Sequence, residues 1–141
     1  MVVLDTNVIS EAMREQASET VISWLDAQPE SALLTTAITK AEILFGISIL
    51  PDGVRKSSLW DGAMQMFEQE IDGRVLPFDE MAAEAYAEIS AARRQIGRPI
   101  GQLDAQIAAI VKSRGLSLAT RNTTDFEMCG IPIVDPWKRD G

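Results

Sequence analysis

Four acidic residues occupy positions that solvation alone does not explain. Asp5 directly follows the apolar run Val2-Val3-Leu4. Glu42 falls in register with Ile38, Phe45 and Ile49, so its carboxylate shares an apolar helical stripe. Asp104 opens a segment that is otherwise apolar or small, Leu103 and Ala105 through Val111 with Gln106 as the exception. Asp125 lies in Thr120-Arg121-Asn122-Thr123-Thr124-Asp125-Phe126, just beyond the apolar run Leu116 to Thr120. Each acid also has an ordinary reading. Asp5 can form an Asx turn or cap a helix, and Glu42 can reach to a groove edge or pair with a buried arginine. Asp104 suits the positive end of a helix, and Asp125 is an acceptable loop residue. If the four converge, they repel one another unless cations intervene. Carboxylate oxygens without nitrogen or sulfur donors select hard ions such as Mg²⁺ or Mn²⁺. Such ions serve phosphoryl chemistry by activating water and neutralising phosphate oxygens.

The rest of the composition narrows the chemistry. The chain has no histidine, which excludes a Ser-His-Asp triad, a Cys-His pair and a histidine general base. Its one cysteine, Cys129, excludes an internal disulfide and a cysteine-based zinc site, and fits a reducing compartment. Val2-Val3-Leu4 is cut short by Asp5, so no secretory leader is expected. The apolar stretch Ile43 to Leu50 is too short to span a bilayer. A cytoplasmic protein without a membrane anchor is the expectation. The net charge of −8 departs from the basic face usual in nucleic-acid binders. It fits either a blandly acidic soluble protein or a pocket of acids whose sign bound cations would reverse.

Several elements must position these residues. With 141 residues, 46% of them hydrophobic, the chain suffices for one cored domain. Strands are expected at Val2 to Leu4, Ala32 to Thr35, Val75 to Phe78, Leu116 to Thr120 and Ile133 to Val134. Helices are expected over Val8 to Met13, Glu19 to Ala27, Ala37 to Leu50, Gly53 to Glu70, Glu80 to Ile96 and Leu103 to Arg114. Thr36, Asp52 and Asp79 are the expected caps; Pro51, Gly97 and Gly115 mark helix ends. The alternation predicts an α/β fold with a mainly parallel sheet flanked by helices on both faces. Asp5 and Asp125 then lie past strand ends, and Glu42 and Asp104 near helix starts, all on the sheet edge where α/β proteins bind ligands.

At these residues the sequence resembles the PIN-domain family, and within it the VapC-type toxins of bacterial toxin–antitoxin pairs, in the FitB-like branch. The likeness is carried by Val3-Leu4-Asp5-Thr6-Asn7-Val8-Ile9-Ser10-Glu11 and by Thr36 through Gly46 with Ala41-Glu42-Ile43. Leu103-Asp104-Ala105-Gln106-Ile107-Ala108-Ala109 and Leu118-Ala119-Thr120-Arg121-Asn122 with Asp125-Phe126 complete it, and it extends to Pro136-Trp137. Thr123-Thr124 and Val134-Asp135 depart from the pattern without touching the acids.

The resemblance implies a single PIN-like domain over residues 1–141 and a metal-dependent endoribonuclease. Asp5 and Asp104 would be the firmest ligands of Mg²⁺, with Mn²⁺ as a substitute. Glu42 would bind metal or orient water, and Asp125 would act partly through water. Thr6, Asn7, Thr120 and Asn122 would fix the carboxylates or contact phosphate, although turn and capping chemistry also accounts for them. The same likeness implies a homodimer, an RNA substrate, and a DNA-binding antitoxin of the VapB/FitA kind.

Two other classes begin with a similar strand and acid. Haloacid-dehalogenase-like phosphatases require a second aspartate two positions after the first, and that position is Asn7. A receiver-like regulatory module needs a lysine beside the pocket, and Lys112 stands in an unsuitable helix turn. Neither the phosphate loop G-x-x-x-x-G-K-[ST] nor the dinucleotide fingerprint G-x-G-x-x-G occurs.

Overall fold

Alternation along the first and fourth strands sets the architecture. In the computed structural model, which describes residues 1–138, β1 is Val2–Leu4, β2 Leu33–Thr36, β3 Val75–Leu76, β4 Ser117–Ala119 and β5 Ile133–Val134. Residues 139–141 of the expected 1–141 span lie outside the described residues. The strands form one sheet in the order β3-β2-β1-β4-β5, and every pairing is parallel. Val3 pairs with Leu34 on one side and Leu118 on the other. These three side chains point to one face, while Val2, Leu4 and Ala119 point to the opposite face.

Each face carries its own helices. α5 (Glu80–Gln95) and α6 (Gln102–Ser113) cover the Val3 face through Ala82, Ala85, Ile89, Ile107 and Ile110. α1 (Thr6–Ala12), α2 (Glu19–Asp26), α3 (Ala37–Ser48) and α4 (Val54–Gln65) cover the other through Val8, Val21, Ile43, Ile47 and Ala63. Burial on both faces explains why the strands read as continuous apolar runs.

Several boundaries differ from the sequence reading for local reasons. Ala32 ends a 3-10 turn, Glu30–Ala32, instead of opening β2. β3 stops at Leu76 because Pro77 has no N–H for a further ladder bond. α1 begins at Thr6, two residues early, because Asp5 caps it. The helix expected to run to Glu70 is α-helical to Gln65 and continues as a π-type turn over Met66–Glu70. Thr36 and Asp79 cap α3 and α5, accepting from Thr39 N at 3.1 Å and Ala82 N at 3.0 Å. Asp52 does not cap α4: Gly53 holds that position, and Asp52 pairs with Lys56 at 3.2 Å. Gly97 and Gly115 end α5 and α6 with φ of 75° and 65°. No helix among the described residues is long and apolar enough to cross a membrane.

The strand order dictates where a site can form. From β1 the chain proceeds through β2 to β3 on one side, then returns to β4 and β5 on the other. The crevice therefore opens between the carboxyl ends of β1 and β4, the switch point of the sheet.

Candidate active site

Asp5 and Thr120 emerge at that switch point from neighbouring strands. Asp5 N donates to Ala119 O at 3.0 Å, which fixes the two strand ends against each other. The Thr120 hydroxyl then donates to Asp5 Oδ2 at 2.7 Å, while its oxygen accepts from Asn7 Nδ2 at 3.2 Å and Asn122 N at 3.1 Å. One donor and two acceptor sites are the full capacity of a hydroxyl. Asp5 Oδ1 accepts from Thr6 N at 2.8 Å, so this carboxylate is a helix cap and a cavity wall at once.

Glu42 reaches the same place from α3. The Thr6 hydroxyl donates to its Oε1 at 2.9 Å and lies 3.2 Å from the hydroxyl of Thr39. Glu42 does not sit in the apolar stripe that its spacing predicts. Phe45 and Ile49, its supposed stripe mates, are 66% and 68% exposed. The core stripe of α3 is Thr39, Ile43 and Ile47, and Glu42 stands beside it facing the crevice.

Asp104 enters from the first turn of α6 and is half-buried. Asp5, Glu42 and Asp104 line one cavity of about 420 Å³ with Thr6, Asn7 and Asn122. Asp125 lies on a 3-10 turn, Thr123–Phe126, exposed at the rim and outside the lining. It is still close enough for its charge to act on both Asp5 and Asp104. Burial raises the Asp5 carboxyl above its ordinary value; hydrogen bonds from Thr120 and Thr6 oppose this, and Glu42 and Asp125 add to it. Burial also raises Asp104, followed by repulsion from Asp5 and Asp125, against an attraction to Arg93.

A hard divalent cation suits this arrangement. The donors are all oxygens, and none of the four acids forms an ion pair among the described residues. Ionising Asp5 and Asp104 side by side is unfavourable as they stand, and a dication between them would reverse that. Among the described residues no three acidic side chains close into a ligand set on their own. Asp5, Glu42 and Asp104 line the cavity without closing on one another, and Asp125 stands outside its lining.

A family model described as PIN domain matches residues 2–128. The chain belongs to the PIN domain family. It is 40% identical to "VapC ribonuclease Y4jK" of Sinorhizobium fredii, over 98% of this chain and 99% of that one. It is 39% identical to "Toxin FitB" of Neisseria gonorrhoeae, over 97% and 99% of the two chains. Among solved structures, "Structure of FitAB bound to IR36 DNA fragment" superposes with a TM-score of 0.94 at 37% identity, covering 100% of this chain and 99% of that one.

This PIN domain holds its acids with one residue the sequence reading passed over. Arg93 of α5 is only 4% exposed. Its Nη1 donates to Asp125 O at 2.9 Å and Glu127 O at 3.0 Å and lies 3.5 Å from Cys129 Sγ. Its Nε donates to Arg98 O at 2.7 Å, in the loop that leads into α6. A single guanidinium thus ties the segment bearing Asp125 to the approach of Asp104. The signal was present: Ala82, Ala85, Ile89 and Arg93 form the buried face of α5, and an arginine in that face needs acceptors. Glu11 and Arg14, paired at 3.3 Å, also line the cavity. Cys129 is buried and its thiol is pushed up by burial, so it supplies no nucleophile.

Proposed function

We propose that the chain is the toxin of a toxin–antitoxin pair and hydrolyses RNA phosphodiester bonds with Mg²⁺ or Mn²⁺ held by Asp5, Glu42 and Asp104, with Asp125 assisting from the rim. The observation that carries this reading is the junction of Asp5, Thr120, Asn7, Thr6 and Glu42, which aims carboxylate oxygens into one cavity that Asp104 also lines. Thr120 and Asn7 orient Asp5 from behind and leave its free lone pairs for a cation. Thr6 does the same for Glu42, which binds metal or orients the attacking water. A bound dication supplies Lewis-acid charge for the phosphate and a more acidic water. Hydrolysis forms one bond from water oxygen to phosphorus and breaks one phosphorus–oxygen ester bond. With no histidine in the chain, the water's proton passes to a carboxylate or to solvent.

The relatives' titles extend the reading to partners. One is named a ribonuclease and another a toxin, and a third is a complex bound to DNA. A DNA-binding antitoxin, a homodimer and a cytoplasmic setting follow for this chain by analogy. The surface favours it. Phe45, Ile49, Val54 and Trp60 are exposed, and a groove of about 1220 Å³ runs past α3 and α4 to Glu42. Apolar exposure of this extent fits a partner helix or a second copy.

The decisive experiment uses protein freed of any partner and a mixed-sequence RNA. Mg²⁺ or Mn²⁺ should permit cleavage, EDTA should stop it, and adding back the protein encoded beside it should suppress it. Cleavage that continues in EDTA would overturn the metal role, and no cleavage under any ion would overturn the nuclease reading.

A further inference from the structure

An acidic cavity poses a problem for an anionic substrate: Asp5, Glu11, Glu42 and Asp104 all line it. Among the described residues, two of those lining it are cationic, Arg14 and Arg121. Arg14 is engaged by Glu11 at 3.3 Å. Arg121, among the described residues, has no carboxylate partner. It lies instead over an aromatic ring in cation–π contact, its Cζ 5.1 Å from the centroid of Trp137, which lines the same cavity.

Both members of this pair are held from the backbone. Arg121 N donates to Asn7 Oδ1 at 3.3 Å, so the residue that supports Asp5 also fixes the start of the Arg121 side chain. Trp137 N donates to Asp135 Oδ1 at 2.9 Å, and the indole packs partly against the core beneath β1. Among the described residues no hydrogen bond or ion pair engages the Arg121 guanidinium, so its N–H donors remain available to bind phosphate in bidentate fashion. A lysine would offer only a mobile point charge.

We propose that Arg121, seated over the Trp137 ring, binds a backbone phosphate of single-stranded RNA next to the one being cut, and that Trp137 is its positioning residue. The inference rests on the nuclease reading above and deepens it. The pair provides a positive subsite in a negative cavity, so it gives the strand a point of attachment beside the acids. The contact is to the backbone and is indifferent to base identity.

The test uses a fluorescein-labelled oligo(U) strand, cut with Mg²⁺ for kinetics and titrated with Ca²⁺ in its place for binding. Arg121→Gln should raise KM about tenfold, the loss of one charge-assisted contact, while kcat changes little. Its plot of log binding constant against log salt should be shallower by about 0.7, one phosphate contact on a single strand. Arg121→Lys should recover the salt slope without full affinity. Trp137→Phe should keep KM near wild type where Trp137→Leu, which fills the space without a π face, raises it, separating support of Arg121 from mere packing. Wild-type KM and slope in Arg121→Gln, with cleavage otherwise intact, would overturn this inference alone. A slope that responds to Arg121→Gln while wild type never cuts would sink the nuclease reading and leave the phosphate contact standing. No binding of the strand by wild type would overturn the contact itself.

Discussion

Asp104→Asn is expected to lose RNA cleavage by at least about a hundredfold, because removing even the residues that support metal ligands costs 10- to 100-fold and a ligand itself should cost no less. The amide keeps the shape of the side chain and removes the charge that holds a hard cation. Far-UV circular dichroism should remain native, since among the described residues the Asp104 side chain makes no ion pair that organises the fold. Glu42→Gln should behave in the same way and still accept from Thr6. Asp5→Asn should be equally inactive but less innocent structurally, because Asp5 caps α1 and receives the Thr120 hydroxyl. Cleavage by Asp104→Asn within a few-fold of wild type would remove Asp104 from the site.

The second large effect is on stability. Arg93→Met retains the aliphatic stem and deletes the guanidinium, leaving the carbonyls of Arg98, Asp125 and Glu127 without that donor. Acceptors stripped of partners cost about 1–3 kcal/mol each where buried, and these are only partly so, so about 3 kcal/mol in all is expected. For a chain of this length that lowers Tm by roughly 10 °C. The loop also contains Met128 at φ 64°, a conformation non-glycine residues resist and one the clamp helps maintain. Cleavage by the variant at a temperature where it is folded should fall as well, since Asp125 loses its anchor. A melting curve unchanged from wild type would mean that the arginine is dispensable to that loop.

The layers and the sheet were legible because two-sided burial leaves a strong imprint: apolar runs at the strands and capped amphipathic helices between them. The sheet is in fact wholly parallel, and the acids at β1 and α6 could be located from position alone. Glu42 was singled out for an apolar stripe that turns out to be solvent-facing, and its real credential is its reach to Thr6. That contact spans 36 positions in sequence and no periodicity reports it. The same holds for Thr120 and Asp5, 115 positions apart, and for the contact of Arg121 with Trp137. Strand ends can be read locally; which side chains meet across them depends on the sheet order.

The pH behaviour follows from the same electrostatics. Asp104 has a folded-state pKa raised above its ordinary 3.8, so the folded chain binds its proton more tightly than the unfolded chain does. Below that ordinary value the group contributes no difference. As pH rises toward the raised value, stability is lost, and the loss is complete above it. In EDTA, Asp104→Asn should therefore melt with wild type below pH 3.8 and above it at neutral pH. Loss of a favourable charge at the start of α6 opposes this gain by up to about 1 kcal/mol, so the rise in Tm is the part of the relieved burial and repulsion that exceeds it.

The most direct measurement is thus the Tm of wild type and Asp104→Asn at neutral pH, first in EDTA and then across a Mg²⁺ titration. If the acids form one cation-binding unit, the variant melts higher in EDTA. Mg²⁺ then raises wild type by mass action, by about 2.7 kcal/mol at a hundredfold excess over Kd, and raises the variant far less. A variant that melts below wild type in EDTA, with both proteins shifted equally by Mg²⁺, would mean that Asp5, Glu42, Asp104 and Asp125 are independent caps and turn residues.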